Sequence, residues 1–229
     1  MPLTVHHLQV SQSERIVWLC EELSIPYTLT LHKRDPLLSP QSIKDINPLG
    51  QAPIIQDGSL TLAESAAIAE YIIHRHGDGR LALPPSHKNY ADYLYWFHFA
   101  NGGLQPQIGR LMVLTLAGVS ADNPAMTRMH GTLNKILAFV DERLKGNTWL
   151  AGEEFTAADI MSVFSLTTMR TFIPYDLSKY ENVLAYLKRV SEREGYKKAM
   201  QKGDPDLPLM MDGKPPKSFM EQLKEQGKL

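Results

Sequence analysis

Residues 47–65 read NPLGQAPIIQDGSLTLAES, and this stretch organises the rest of the chain. Asp57-Gly58 predicts a two-residue β-hairpin turn of type I′, because glycine accepts the positive φ that this turn needs. The short apolar runs on either side, 53–56 and 59–62, are predicted to pair as strands. Apolar residues at helical spacing follow the second strand. The stretch therefore predicts a tight hairpin that leads directly into a helix.

Glu64 and Ser65 stand where the hairpin ends and this helix begins. The first turn of a helix has unpaired N–H groups and the positive end of the helix dipole, which together favour an anionic ligand. Pro53 opens the first strand, and an X-Pro bond adopts the cis form at a cost of only about 0.5–1 kcal/mol. A cis bond would turn the N–H and C=O of Ala52 toward solvent, where an extended peptide-like ligand could pair with them. A trans bond at the start of the strand is the alternative.

The run Asn-Pro-Leu-Gly-Gln-Ala-Pro, the hairpin and the run Ala-Glu-Ser-Ala-Ala-Ile together resemble the glutathione-binding half of the glutathione transferase family. In that family the proline is cis, the residue before it pairs with the cysteinyl part of glutathione, and the Glu-Ser pair holds the γ-glutamyl end. The resemblance therefore implies glutathione binding by Ala52, Pro53, Glu64 and Ser65. Gln51 occupies a position that often contacts the glycyl carboxylate. Relatives frequently have lysine there, so the glutamine is a departure from the pattern.

The first part of the chain predicts a βαβ unit. Residues 3–8 alternate as a strand, residues 16–23 carry an apolar helical stripe, and residues 27–31 are β-rich. Strand, helix and strand at this spacing imply parallel pairing with a right-handed crossover. One short helix is expected within residues 32–45, before the hairpin and its helix, which ends near His76. This order is that of an α/β thioredoxin-like domain.

A break in periodicity and a change of pattern divide the chain. We predict a thioredoxin-like glutathione-binding domain at 1–78, a linker rich in glycine and proline at 79–86, and an all-helical domain at 87–203. The fold class is thus an α/β N-terminal domain followed by an all-α C-terminal bundle, as in glutathione transferases. Residues 204–229 are predicted to form a loosely packed C-terminal tail.

A capping box is predicted inside the helical domain. Thr156 stands three residues before Asp159, ahead of a nearly apolar run, which is the pattern of a helix start. A helix that is apolar on most faces is buried within a bundle. We therefore assign this pair a role in folding and none in chemistry.

The loop between the first strand and the first helix is the expected place for catalysis. Glutathione reacts as its thiolate, whereas a cysteine-like thiol has a pKa of about 8.5. A hydroxyl group and a helix N-terminus near the sulfur both lower that pKa. Ser11 precedes Arg15 by four residues, which resembles the catalytic serine of serine-type members of the theta/delta-like or fungal and bacterial classes. Ser11 is the first candidate, and Ser13 is the second; Ser13 is otherwise a good cap for the helix.

Composition and charge exclude several other functions. The 229 residues carry a formal net charge of −1, so there is no basic field to attract nucleic acid. No run of about eighteen apolar residues and no leader segment is found, so neither a membrane span nor secretion is expected. The single cysteine, Cys20, fits a reducing compartment and a cytoplasmic location. His6-His7 point to opposite faces of a strand, and His74 and His76 cannot share a helix face, so no metal cofactor is expected.

The resemblance implies a cytoplasmic homodimer that acts in detoxification. Glutathione would be the co-substrate, and its thiolate would attack an apolar electrophile or a peroxide, the latter as a glutathione peroxidase side activity. Two alternatives belong to other classes. One is a non-catalytic, transferase-like binding or regulatory module, and the other is a glutathione-dependent disulfide oxidoreductase whose activity would depend on Cys20.

Overall fold

The computed structural model describes residues 2–225 and 227. Its strands are β1 Leu3–Leu8, β2 Tyr27–His32, β3 Ile54–Asp57 and β4 Leu60–Ala63. Its α-helices are α1 Glu14–Leu23, α2 Gln41–Lys44, α3 Ser65–Arg75, α4 Tyr90–Phe99, α5 Gln105–Leu116, α6 Pro124–Lys145, α7 Ala157–Leu166, α8 Glu181–Glu192, α9 Glu194–Gly203 and α10 Phe219–Glu225.

The four strands form one mixed sheet in the order β2-β1-β3-β4. β1 and β2 are parallel, with Val5 paired to Leu29, while β3 runs antiparallel to β1 and to β4. Parallel neighbours need a crossover, and α1 supplies it with a buried stripe that includes Ile16, Leu19 and Leu23. With the short α2 and the helix α3 that follows the hairpin, this is the thioredoxin-like order that the sequence predicts.

The hairpin differs from the prediction in its turn. Asp57 pairs with Leu60, so the two-residue loop is Gly58-Ser59, and only Gly58 has a positive φ, +62°. A positive φ at the first central residue alone is the pattern of a type II′ turn, so the predicted type I′ turn is wrong. The carboxylate of Asp57 accepts hydrogen bonds from Tyr71 at 2.9 Å and from Nε2 of His76 at 2.7 Å. These contacts with the α3 region hold Asp57 as the last residue of β3.

Contacts divide the chain into two compact units. The first comprises Met1–Leu83, Val190–Leu209 and Met220–Leu229, and the second comprises Pro84–Arg189 and Met210–Phe219. The second unit thus begins inside the linker that the sequence predicts. Residues 190–209 join the first unit because α9 packs against α1, where Trp18 and Tyr196 meet edge to face with centroids 4.9 Å apart. The division by sequence at 78, 86 and 203 stays a prediction.

The long aromatic helix of the second unit is interrupted where its glycines lie. A π-helical turn, Ala100–Leu104, separates α4 from α5. A Cβ atom added at Gly103 would lie 2.6 Å from the ring of Phe99, so only glycine fits this turn without displacing the ring. A glycine pair and a change from α- to π-type hydrogen bonding are known sites of helix distortion.

Helix α7 begins with the predicted capping box. The hydroxyl of Thr156 accepts from the N–H of Ala158 at 3.3 Å, and the carboxylate of Asp159 accepts from the N–H of Thr156 at 2.9 Å. That carboxylate also accepts from the N–H of Leu150 at 2.9 Å and from the hydroxyl of Tyr186 at 3.2 Å. Asp159 therefore joins the helix start to a preceding loop and to α8 inside the second unit.

The C-terminal segment is held in place at several points, and the prediction of a loosely packed tail is wrong there. The guanidinium of Arg170, fully buried, donates to the carbonyls of Asp212 at 2.8 Å, of Gly213 at 3.1 Å and of Lys214. The N–H of Leu177 also donates to the carbonyl of Gly213. A buried guanidinium with several donors satisfies several carbonyls at once, which fixes this irregular backbone. Elsewhere in the segment, Asp204 and Leu223 are also buried.

Among the described residues, no helix combines the length and the apolar character that crossing a bilayer requires.

The capping box generates a prediction about stability and pH. Burial raises the pKa of Asp159 to about 6, although its hydrogen-bond donors offset part of this shift. Because the folded-state pKa lies above the unfolded one, the folded state retains the proton as pH rises. The contribution of Asp159 to the free energy of unfolding should therefore fall between pH about 4 and about 6, by roughly 3 kcal/mol. In Asp159→Asn this titration is absent.

Urea unfolding of the wild type and Asp159→Asn across this pH range checks the prediction. The difference in stability, wild type minus variant, should decrease as pH rises through the window and stay constant above it. A difference that is independent of pH would contradict the assignment.

Candidate functional site

The loop between β1 and α1 contains a strained residue. Val10 has φ +54°, and a β-branched residue with positive φ is an outlier that surrounding contacts must enforce. Oδ1 of Asp204 accepts from the N–H of Val10 at 2.8 Å. Nη2 of Arg34 donates to the carbonyl of the same residue at 2.8 Å. A carboxylate and a guanidinium thus hold both backbone groups of Val10 and fix the loop that leads to Ser11.

Ser11 is the more exposed of the two candidate serines, with 6% of its surface accessible. Its hydroxyl donates to the carbonyl of Leu8 at 2.7 Å. Its oxygen accepts from the N–H of Ser13 at 3.2 Å and lies 2.7 Å from the hydroxyl oxygen of that residue. Hydrogen bonds to Leu8 and Ser13 therefore fix the position of the Ser11 hydroxyl within the loop.

Ser13 has no accessible surface, and its side chain does not cap α1. The hydroxyl oxygen lies 2.8 Å from Nδ1 of His7, 3.0 Å from the N–H of Leu8 and 3.1 Å from the carbonyl of Leu8. The prediction of a side-chain cap at Ser13 is wrong, because these partners at the end of β1 bind the hydroxyl instead.

The Ala52-Pro53 peptide bond is cis, as the resemblance implies. Ala52 is 7% exposed and Pro53 is buried behind it. The carbonyl of Ala52 accepts from Nε2 of Gln12 at 3.1 Å. Of the two backbone groups expected to face a peptide ligand, the carbonyl therefore already has a protein partner. The neighbouring Gln51 is exposed, and its carbonyl accepts from the side chain of Asn47 at 2.9 Å.

Glu64 and Ser65 form the corner between β4 and α3. Glu64 is exposed and has φ +71°, a conformation that costs a non-glycine residue about 1–3 kcal/mol. Such strain is concentrated at functional sites in proteins. Ser65 is the first residue of α3 and is 1% exposed. An exposed carboxylate thus stands directly before the N-terminus of a helix.

Arg15 connects this corner to the serine loop. Its side chain is fully buried, and its Nη1 donates to Oε1 of Gln12 at 2.9 Å and to the hydroxyl of Ser65 at 3.4 Å. Burial lowers the pKa of Arg15 to about 9, which leaves the guanidinium charged at neutral pH, and the nearby Glu14 opposes the shift. Gln12, Arg15 and Ser65 therefore form one hydrogen-bonded series that begins at the carbonyl of Ala52.

Sequence reasoning used Arg15 only to count the distance to a serine and missed Gln12. Their separation of three residues at a helix start is the signal that could have indicated a contact between them. His7 and Asp204 were also missed as neighbours of the serines. His7 lies only six positions before Ser13, whereas Asp204 is 197 positions from His7 and no local signal connects it to the loop.

Cys20 and His6 do not form a candidate site of their own. Cys20 is fully buried within α1, and burial raises the pKa of its thiol to about 12. His6 contacts His32 and Gln56, each at 3.1 Å. Across residues 2–225 and 227, no group of three or more histidine, cysteine, aspartate and glutamate side chains is arranged to hold a metal ion.

The arrangement offers a different kind of group to each part of a zwitterionic peptide. A carboxylate and a helix N-terminus at Glu64-Ser65 suit an amino acid end with both charges. The backbone of Ala52 suits an extended peptide segment, and the hydroxyl of Ser11 suits an atom that accepts a hydrogen bond. All four residues belong to the first compact unit.

Two family models match the chain. The model described as glutathione S-transferase, N-terminal domain, matches residues 11–75, and the model described as glutathione S-transferase, C-terminal domain, matches residues 106–194. Among similar proteins, glutathione S-transferase 3 of Schizosaccharomyces pombe is 31% identical, over 92% of this chain and 92% of its own. Glutathione S-transferase 1 of Manduca sexta is 30% identical, over 89% of this chain and 94% of its own.

Solved structures agree with these matches. A glutathione S-transferase from Actinobacillus pleuropneumoniae has a TM-score of 0.79 at 29% identity, covering 88% of this chain and 93% of that one. A glutathione transferase from Phanerochaete chrysosporium, solved with oxidized glutathione, has a TM-score of 0.73 at 22% identity, covering 88% and 94%, and supports the fold alone. With matching models for both domains and a relative 31% identical over most of its length, the chain belongs to the glutathione S-transferase family.

Proposed function

We propose that this protein is a glutathione transferase that binds glutathione in its first unit and activates its thiol. The observation that carries this proposal is the hydrogen-bonded series that joins the site. Gln12 binds the carbonyl of Ala52, and Arg15 binds both Gln12 and Ser65. The residues proposed to bind the cysteinyl part of glutathione and those proposed to bind its γ-glutamyl part are therefore connected by hydrogen bonds.

Each part of glutathione has a proposed partner. The carboxylate of Glu64 binds the α-ammonium group of the γ-glutamyl residue, and Ser65 with the start of α3 binds its α-carboxylate. The backbone of Ala52, before Pro53, pairs with the cysteinyl residue. Its carbonyl oxygen has two lone pairs and can accept from the ligand while it keeps the hydrogen bond from Gln12. Gln51 lies at the glycyl end.

Ser11 is the proposed catalytic residue. Its O–H turns from the carbonyl of Leu8 to the glutathione sulfur and stabilises the thiolate. Lowering a thiol pKa by about 2 units requires about 2.7 kcal/mol of preferential stabilisation of the anion, which a hydroxyl and the start of α1 supply together. Ser13 is the weaker candidate because it has no accessible surface.

The thiolate then attacks an apolar electrophile and forms a thioether. A peroxide is a second class of acceptor for the same thiolate. Disulfide reduction by the protein's own thiol is disfavoured, because Cys20 is fully buried and burial raises its pKa. A Cys20→Ala variant is therefore expected to keep its transferase activity.

We also propose a cytoplasmic homodimer with a role in detoxification. Support for the dimer comes from an aromatic surface in the second unit, where Tyr95 and Phe139 are each 49% exposed and pack around Trp96. Exposed aromatic clusters of this kind are commonly covered by a partner.

With a second copy of this chain as the partner, Phe139→Asp should place a charge in the interface. Sedimentation should then show monomers for this variant and dimers for the wild type; equal mass for both would contradict this surface as the interface.

The first test of the catalytic assignment is Ser11→Ala. Loss of the donor should raise the pKa of the bound thiol by about 1–2 units and lower kcat/KM at neutral pH by roughly 10- to 100-fold. Ultraviolet absorbance of the bound thiolate across pH and turnover with an aryl halide measure both effects. At a pH above the shifted pKa the two rates should converge, because the thiol is then ionised without help.

Ser13→Ala is the comparison for this test. If Ser11→Ala were silent and Ser13→Ala alone lost activity, the assignment of the two serines would be reversed. If calorimetry detected no binding of glutathione at millimolar concentration to the wild type, the protein would be a non-catalytic binding module.

Glu64→Gln tests the binding corner. Because hydrogen bonds to charged groups contribute about 1.5–3 kcal/mol, the variant should bind glutathione roughly 10- to 100-fold more weakly. Calorimetry should be repeated with the glutathione analogue that lacks the α-amino group. The wild type should lose affinity for this analogue, whereas Glu64→Gln should lose little more. Equal losses in both proteins would place the α-amino group elsewhere.

A further inference from the structure

We propose that His7 and Asp204 are positioning residues that set the direction of a chain of hydroxyl hydrogen bonds ending at Ser11. Through this chain they leave the proton of Ser11 available to the glutathione sulfur. The inference rests on the proposed function, in which Ser11 contacts that sulfur. Neither residue touches the ligand in this account.

The four side chains form a continuous buried series. Oδ2 of Asp204 lies 3.0 Å from Nε2 of His7, and Nδ1 of that ring lies 2.8 Å from the hydroxyl oxygen of Ser13. The hydroxyl oxygens of Ser13 and Ser11 lie 2.7 Å apart. None of the four residues is more than 6% exposed, so water does not compete for these contacts. Asp204 follows α9 and is 197 positions from His7 in sequence.

The number of protons decides the direction of the chain. Four contacts can each hold one proton. Three of them are short: Nδ1 of His7 with Ser13 at 2.8 Å, Ser13 with Ser11 at 2.7 Å, and Ser11 with the carbonyl of Leu8 at 2.7 Å. The fourth, Ser13 with the carbonyl of Leu8, is longer at 3.1 Å. The two hydroxyls supply two protons and the carbonyl only accepts, so all three short contacts are filled only when Nδ1 of His7 donates the third proton.

The remaining groups agree with this assignment. The oxygen of Ser13 also accepts from the N–H of Leu8, and the oxygen of Ser11 accepts from the N–H of Ser13. With Nδ1 of His7 as a donor, and with Ser13 donating across its shorter contact to Ser11 and not to the carbonyl of Leu8, each hydroxyl accepts two hydrogen bonds and donates one. This is the full capacity of a hydroxyl group.

A second proton lies between His7 and Asp204. The contact of Asp204 with Nε2 of His7 contains one proton, so the pair is an imidazolium with a carboxylate or the corresponding neutral tautomers. In either form the pair has no net charge and Nδ1 keeps its proton. The other oxygen of Asp204 accepts from the N–H of Val10. One carboxylate therefore fixes both the ring and the loop that carries Ser11.

The series of hydrogen bonds leaves the O–H of Ser11 as a donor for the ligand. Because Ser11 accepts two hydrogen bonds from Ser13, its own O–H is polarised and is its only proton available for another acceptor. When sulfur replaces the carbonyl of Leu8 as that acceptor, the hydrogen bonds behind Ser11 stay as they are. Without the Nδ1 proton of His7, the hydroxyl of Ser13 would turn toward the ring. Ser11 would then have to donate to Ser13 and would be lost to the sulfur.

Three other charged or titratable groups lie near the pair. Burial lowers the pKa of Arg34 to about 10, and Asp204 opposes this shift. Burial also lowers the pKa of His32, and His6 and His7 add to the effect. Arg34 is positively charged and His32 is a weak base, so neither replaces Asp204 as the acidic group that contacts His7.

The test compares four variants of the full-length protein by the pKa of the bound thiol, kcat and the KM for glutathione. In His7→Phe no ring nitrogen donates to Ser13, and the Ser13 hydroxyl can donate to the carbonyl of Leu8, 3.1 Å away, instead of to Ser11. Ser11 then loses one of its two donors, so the pKa of the bound thiol should rise by about one unit and kcat at neutral pH should fall by roughly tenfold, with little change in KM. His6→Phe is the matched control, because it replaces a buried histidine of the same strand that lies outside the series. It should leave the thiol pKa unchanged.

Asp204→Asn provides a test that keeps the shape of the site. Its amide can donate to Nε2 of His7 while its oxygen accepts from Val10, which forces the ring proton onto Nδ1. The direction of the chain is kept, so the thiol pKa should stay within about half a unit of the wild type. Nitrogen NMR of labelled histidine in the wild type gives a readout that needs no variant. Nδ1 of His7 should carry a proton at neutral pH.

The outcomes separate this inference from the proposed function. A shift in Ser11→Ala together with equal thiol pKa values in His7→Phe and His6→Phe would overturn the inference alone. An unprotonated Nδ1 in the NMR spectrum would also overturn it. Unchanged thiol ionisation in Ser11→Ala would instead overturn the catalytic role of Ser11.

Discussion

A buried carboxylate needs hydrogen-bond donors, and the candidate site depends on the two donors that bind Asp204. One oxygen binds His7 and the other binds the N–H of Val10, a residue whose positive φ needs outside support. Burying a charge without such contacts would cost several kcal/mol, so the carboxylate, the ring and the loop are mutually required. The loop that presents Ser11 is thereby fixed by a residue that lies just beyond α9.

A second constraint joins the loop to the rest of the proposed glutathione site. Arg15 is fully buried yet charged at neutral pH, and it directs its donors to Gln12 and Ser65. The first helix therefore contributes to two parts of the site, with Ser11 before it and Arg15 within it. In the proposed function, these contacts join the residues that bind the cysteinyl and γ-glutamyl parts of glutathione within one compact unit.

Much of this architecture could be predicted from local sequence. Apolar periodicity gave the βαβ unit and the main helices, and the Thr156–Asp159 spacing gave the start of α7, because these signals act between near neighbours. The Ala-Pro and Glu-Ser motifs gave the proposed binding residues by resemblance, and of these expectations the structure confirms the cis Ala52-Pro53 bond. The position of Asp204 could not be predicted, since packing of α9 on α1 brings it to β1 from the far end of the chain. Ser13 was misjudged as a cap for a different reason. Its partners, His7 and Leu8, are close in sequence but lie at the end of β1, and preferences for residues at helix starts do not include them.

The most direct measurement of the central claim is a crystal structure of the protein with reduced glutathione bound. The account predicts that the sulfur lies within hydrogen-bond distance of the hydroxyl of Ser11, with the γ-glutamyl end at Glu64-Ser65 and the cysteinyl backbone paired to Ala52. The buried contacts of Ser13 with His7 should be unchanged. A sulfur that contacts another group, with Ser11 still donating to the carbonyl of Leu8, would contradict it.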